Sequence, residues 1–119
     1  MSAQFQPPIA SVSVEELAQR LNSGATEELQ LIDVRELEEI AIASIPSFTI
    51  LPLSQFNQWA GEITTRFDPH QETLVLCHHG IRSAQMCQWL ANQGFSNVKN
   101  ITGGIDAYAN LCDRSIALY

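Results

Sequence analysis

Four short apolar runs, most of them followed by a segment with helical spacing, set the tightest limit on how this chain can fold. The runs are residues 29–34 (LQLIDV), 48–53 (FTILPL), 73–76 (TLVL) and 97–101 (NVKNI). Each is bounded by polar or turn residues and is too short for an independent buried helix, so each reads as a strand. Ser13 opens a helix whose Val14, Leu17, Ala18 and Leu21 share one face. Glu16, three residues on, completes the pattern of a capping box, and Gly24 supplies a stop. Residues 36–43 read as a short helix. Ser54 is placed to cap another, along which Phe56, Trp59, Ile63 and Phe67 form a stripe that core packing explains. Ser83 begins a helix running to Gln93, capped by Gly94, and residues 105–111 form the last. Apolar strands joined through helices make a mainly parallel sheet covered on both faces. The expected fold class is therefore α/β, in three layers.

One domain, residues 11–119, accounts for all of these elements, and residues 1–10, with Pro7 and Pro8, read as a flexible N-terminal arm. Residues 113–119 show no pattern. Six Lys and Arg stand against 13 Asp and Glu, a formal charge of −7. That balance repels phosphate backbones and anionic lipid, so neither nucleic acid nor a membrane surface is an expected partner. No run approaches the ~20 apolar residues of a membrane-spanning helix. Residues 1–10 have no basic residue and no apolar run, so no secretory leader is expected. Cys77, Cys87 and Cys112 are an odd set without paired spacing, which points to a reducing compartment and a cytoplasmic protein.

The chemistry is concentrated where the third strand ends, since open α/β sheets place ligands at the carboxyl ends of their strands. Cys77 stands there, followed by His78, His79, Gly80, Ile81, Arg82 and Ser83. A thiolate is a nucleophile, and a helix N-terminus or a cation favours it. The helix after the loop offers unpaired N–H groups, and Arg82 a planar cation with several donors. Gly80 lets the backbone curl so that N–H groups converge into an anion-binding nest. Cys87 shares a helical face with Met86, Leu90 and Ala91 and reads as core. No role is assigned to Cys112.

The loop Cys77-His78-His79-Gly80-Ile81-Arg82-Ser83 resembles the active-site loop of rhodaneses, which is Cys, four residues, Arg, then Ser or Thr. Asp33-Val34-Arg35 resembles the Asp-x-Arg landmark upstream of that loop. Ile45-Pro46 and the stretch from Thr102 to Tyr108 match two further landmarks. The resemblance implies a rhodanese-like three-layer fold and a sulfurtransferase working through a persulfide on Cys77. By that resemblance Cys77 is the nucleophile, and the backbone of residues 78–83 cradles the outer sulfur. Arg82 closes the loop or meets the donor's charge. A small sulfane-sulfur donor such as thiosulfate and a thiol acceptor, which a protein can supply, are the implied partners, with no cofactor.

Around Pro46 this chain reads Ala43-Ser44-Ile45-Pro46-Ser47-Phe48, without the Gly and His common in the family. His78 stands where thiosulfate-using members often carry Arg. Ser83 can add a hydroxyl to the site, although helix capping is its expected task, and a structural ion pair is that of Asp33 and Arg35. His78 and His79 beside Cys77 lack further ligands at suitable spacing, so no metal site is expected. Two other functions compete: a sulfur carrier or partner-binding module without turnover, and a cysteine-dependent phosphatase. The phosphatase loop has five residues between Cys and Arg, whereas four separate Cys77 from Arg82.

Overall fold

The computed structural model describes residues 8–119; residues 1–7 of the expected arm lie outside the described residues. At its centre is a parallel sheet in the order β1-β5-β4-β2-β3. The strands are β1 (Ala10–Val12), β2 (Gln30–Asp33), β3 (Thr49–Ile50), β4 (Thr73–Leu76) and β5 (Val98–Ile101). The helices are α1 (Val14–Asn22), α2 (Leu37–Ile42), α3 (Phe56–Trp59), α4 (Ile63–Arg66), α5 (Ile81–Asn92) and α6 (Gly104–Leu111). Among the described residues, no helix is long and apolar enough to cross a membrane.

Side-chain alternation along β4 divides the core in two. Leu74 and Leu76 pack with Val14 and Leu17 of α1 and Ile105 and Tyr108 of α6. Val75 and the following Cys77 point the other way, among Trp59, Ile63, Met86, Cys87 and Leu90 of α3, α4 and α5. Both faces of β4 are thus sealed, which is why Leu74, Val75 and Leu76 are apolar in succession rather than alternating. Phe56, Trp59 and Trp89 meet edge to face in the second layer, with ring centroids 5.0 to 5.9 Å apart. The three layers expected from the sequence are present.

Local chemistry explains where elements depart from expectation. The Glu16 N–H donates to Ser13 Oγ at 3.1 Å, so that half of the capping box forms. The Glu16 carboxylate turns instead towards Arg20, 4.0 Å away. The run 48–53 keeps only Thr49–Ile50 as strand, because it lies at the sheet edge with β2 as its one neighbour and Pro52 has no N–H to continue the ladder. Ser54 caps no helix; it lies in a 3₁₀ turn, Leu53–Gln55, and its hydroxyl donates to the Glu36 carboxylate. The expected single helix after it is interrupted by a second 3₁₀ turn, Ala60–Glu62, around Gly61. Its stripe still serves the core, with Trp59 and Ile63 buried and Phe56 and Phe67 packed against them. β1 has no strand pattern in the sequence: it is three residues long and draws Ala10 out of the expected arm into register with Lys99.

Candidate active site

Cys77 follows the last residue of the central strand, and the chain turns through His78–Gly80 directly into α5. Gly80, at φ 100°, is the residue before the helix, and its N–H donates to Cys77 Sγ at 3.0 Å. A Cβ at Gly80 would also stand 3.1 Å from the Gly103 nitrogen, so close approach and a left-handed φ both call for glycine. The sulfur therefore lies at the positive end of a 12-residue helix, where partial charge favours an anion. The thiol is 1% exposed.

Ser83 is the third residue of α5, so the capping role expected for it is not the one it has. Its hydroxyl lies 3.2 Å from Cys77 Sγ and donates to Asn100 Oδ1 at 2.5 Å. Asn100, on β5, is oriented by its own amide, which donates to the Gly80 carbonyl at 3.1 Å. The helix starts two residues earlier than expected because the left-handed Gly80 already completes the turn.

From the other side, the start of α6 grips the loop. The Ile105 N–H donates to the Cys77 carbonyl at 2.9 Å and the Asp106 N–H to the His78 carbonyl at 3.1 Å. Gly104 permits this: a Cβ there would stand 2.3 Å from the His78 oxygen and 2.5 Å from the Cys77 oxygen. The landmark at Thr102 to Tyr108 is thus a brace for the Cys77 loop.

Two ion pairs frame the loop. Asp33 and Arg35, with side chains 1% and 0% exposed, are joined at 2.8 Å, and the Asp33 carboxylate also accepts the Arg35 backbone N–H at 3.0 Å. This is the structural pair expected from sequence. Arg82 places both terminal nitrogens on the Glu39 carboxylate of α2, at 2.7 and 2.9 Å. Glu39 further accepts the Glu36 N–H at 3.0 Å and the Tyr119 hydroxyl at 2.9 Å. The Arg82 contact holds its carboxyl at about 2, far below the usual range. The same Tyr119 hydroxyl accepts from Arg35 Nη1 at 3.0 Å.

His78 is half-buried. Its ring stacks on Tyr119, with centroids 3.8 Å apart and a 6° tilt, and lies beside the His79 ring, 3.9 Å away and inclined by 31°. Burial, with the neighbouring His79, pushes its pKa down, and its buried Nε2 has no hydrogen-bond partner. His79 is exposed, with Nδ1 3.9 Å from Asp106 Oδ2, and Ile81 is 71% exposed. His78, His79 and Asp106 bring one donor each within 4.8 Å of one another, with Asp106, rather than Cys77, beside the two histidines. Burial pushes Cys87 up to about 12, which suits a core thiol. A cleft of about 460 Å³, lined by Ile42, Ile45, Pro46, Tyr108 and Ile116 among others, includes no residue of the Cys77 loop.

The structure thus brings Cys77, Gly80 and Ser83 together, sends Arg82 to Glu39, and turns Ile81 to solvent. Sequence reasoning missed Glu39, Asn100 and Tyr119. A lone carboxylate in an acidic chain carries no mark of its partner, and nothing in residues 113–119 signals that they return to the loop.

Comparison with known proteins agrees with this architecture. The rhodanese-like domain model matches residues 13–111, and this chain belongs to that family. It is 49% identical over 113 residues to the rhodanese-like/PpiC domain-containing protein 12, chloroplastic, of Arabidopsis thaliana, covering 94% of this chain and 38% of that protein. It is 32% identical to a putative sulfur carrier protein, YrkF, of Bacillus subtilis, covering 87% and 53%. A sulfurtransferase of Allochromatium vinosum is 35% identical, with 85% and 89% covered. The chain thus spans well under two thirds of the first two relatives. The crystal structure of a Staphylococcus aureus rhodanese-like domain protein superposes with a TM-score of 0.73 at 24% identity, covering 93% of this chain and 99% of that one, and shares the fold.

Proposed function

We propose that this chain is a sulfurtransferase in which Cys77 carries sulfane sulfur, as a persulfide, from a donor such as thiosulfate to a thiophilic acceptor. The observation that carries the reading is Cys77 Sγ accepting the Gly80 N–H at the start of α5. Relatives named sulfurtransferase or sulfur carrier support sulfur transfer in general. In the first step the Cys77 thiolate attacks the outer sulfur of thiosulfate. A new S–S bond forms to Cys77, the S–S bond of the donor breaks, and sulfite leaves with the electron pair. In the second, the acceptor attacks the outer sulfur and the Cys77 thiolate is released. Splitting one transfer into two displacements lowers each barrier. The N–H groups of residues 78–83 hold the outer sulfur, and Arg82 braces the loop through Glu39. The chemistry needs a persistent thiolate, which a reducing compartment such as the cytoplasm preserves.

The test is intact mass after incubating the reduced protein with thiosulfate, mercaptopyruvate or a small persulfide. A gain of one sulfur, reversed by cyanide and absent from Cys77→Ser, is expected. Retention of transfer activity by the folded Cys77→Ser variant would sink the mechanism. The near-complete burial of Cys77 favours a second reading, a sulfur carrier that loads stoichiometrically but releases slowly to small acceptors. Turnover with cyanide, measured against loading, separates the two.

A further inference from the structure

Cations near the Cys77 loop are matched by carboxylates on the elements around it. Arg82 of α5 is held by Glu39 of α2 at 2.7 and 2.9 Å, and Arg35 by Asp33 at the end of β2 at 2.8 Å. From α6, the Asp106 carboxylate lies 3.9 Å from His79. His78, next to Cys77 in the sequence, is stacked against Tyr119 with its Nε2 buried. The second hydrogen-bonding oxygen of Glu39 is fixed by Tyr119, whose hydroxyl also meets Arg35. That last contact comes from outside residues 13–111, the part matched by the family model. Arg35 and Arg82, the two arginines bonded beside the loop, are thus both committed to carboxylates, and the whole chain carries a charge of −7. A dianion entering such a site gains little attraction and meets net repulsion.

We infer that Glu39 is a positioning residue for donor choice: by occupying Arg82 it turns the Cys77 site away from the thiosulfate dianion and towards donors of low charge, alkyl persulfides. The inference rests on the persulfide reading of Cys77. With such a donor, RS–SH, the Cys77 thiolate attacks the terminal sulfur and the donor's S–S bond breaks. The RS⁻ thiolate departs with the electron pair, and the proton of the new Cys77 persulfide passes to it, giving RSH. No oxidant or further reactant is required.

The experiment measures kcat/KM for thiosulfate and for 2-hydroxyethyl persulfide at low and high salt, in the wild type, Glu39→Gln and the Glu39→Gln/Arg82→Gln double variant. The wild type is expected to prefer the persulfide, which carries at most one negative charge against the two of thiosulfate. Glu39→Gln frees Arg82 and should raise kcat/KM for thiosulfate about tenfold, mostly through KM, the scale of one hydrogen bond to a charged group. The gain should shrink with salt and vanish in the double variant. An equal fall for both donors in Glu39→Gln would make Glu39 a purely structural brace and overturn the inference. So would a wild type that uses thiosulfate at least as well as the persulfide, a result that requires no variant to fold. If neither donor adds sulfur to Cys77 by intact mass, the persulfide reading itself fails.

Discussion

The hydroxyl of Ser83 has one hydrogen and two neighbours that want it. In the thiol state that hydrogen goes to Asn100 Oδ1, leaving Oγ to accept from the Cys77 S–H 3.2 Å away. When Cys77 ionises, the hydroxyl can rotate and donate to the thiolate, while Asn100 stays fixed by the Gly80 carbonyl. Ser83→Ala should therefore slow alkylation of Cys77 by iodoacetamide at neutral pH, by roughly tenfold for the loss of one hydrogen bond to a charged group. Cys87, buried in the core, provides an internal reference in the same peptide map. Unchanged alkylation would assign Ser83 to packing alone. The sequence placed Ser83 correctly beside the thiol but gave it to the helix end. Seeing its real partner required Asn100, which comes from a different strand.

At the scale of elements, the cradle depends on α6 as much as on α5. The first turn of α6 spends its free N–H groups on the carbonyls of Cys77 and His78, so the loop is clamped by backbone from outside. Gly104→Ala would drive a methyl group into both carbonyls at a left-handed φ of 62°. Overpacking and backbone strain together should cost about 2–5 kcal/mol. Chemical denaturation should show this loss together with impaired loading of Cys77; a stable, fully active variant would refute the clamp. The elements themselves were largely legible. β4, α5 and β5 carry strong local signals, an apolar run or a glycine at each boundary. β1 was not legible, because three residues give no period and its hydrogen bonds come from β5, far along the chain. The return of the tail to His78 was equally silent, since a single Tyr119 makes the contact.

Across the whole molecule, Glu72 ties three parts together just ahead of β4. Its carboxylate meets Arg20 of α1 at 2.7 Å and Lys99 of β5 at 2.8 Å. The Arg20 hydrogen bond first, then Lys99, lowers its pKa from 4.5 to about 2. A carboxyl depressed in the folded state stabilises it above the ordinary value, and that stability is lost as pH falls through the folded one. The melting temperature should therefore fall between pH 4.5 and about 2, with Glu39 contributing in the same window. Glu72→Gln should melt lower at neutral pH and lose less on acidification. Parallel melting curves against pH for variant and wild type would contradict this.

The edge-to-face aromatic group has a consequence for anyone watching the protein with light. Trp59 and Trp89, the two tryptophans of the sequence, sit 5.9 Å apart on the α3–α5 side of the sheet. Intrinsic indole emission therefore reports on one layer, the one into which Cys77 projects. Loosening confined to α1 and α6 would pass unseen in that signal, and tyrosine, through Tyr108 in the opposite layer, is the chromophore that would register it.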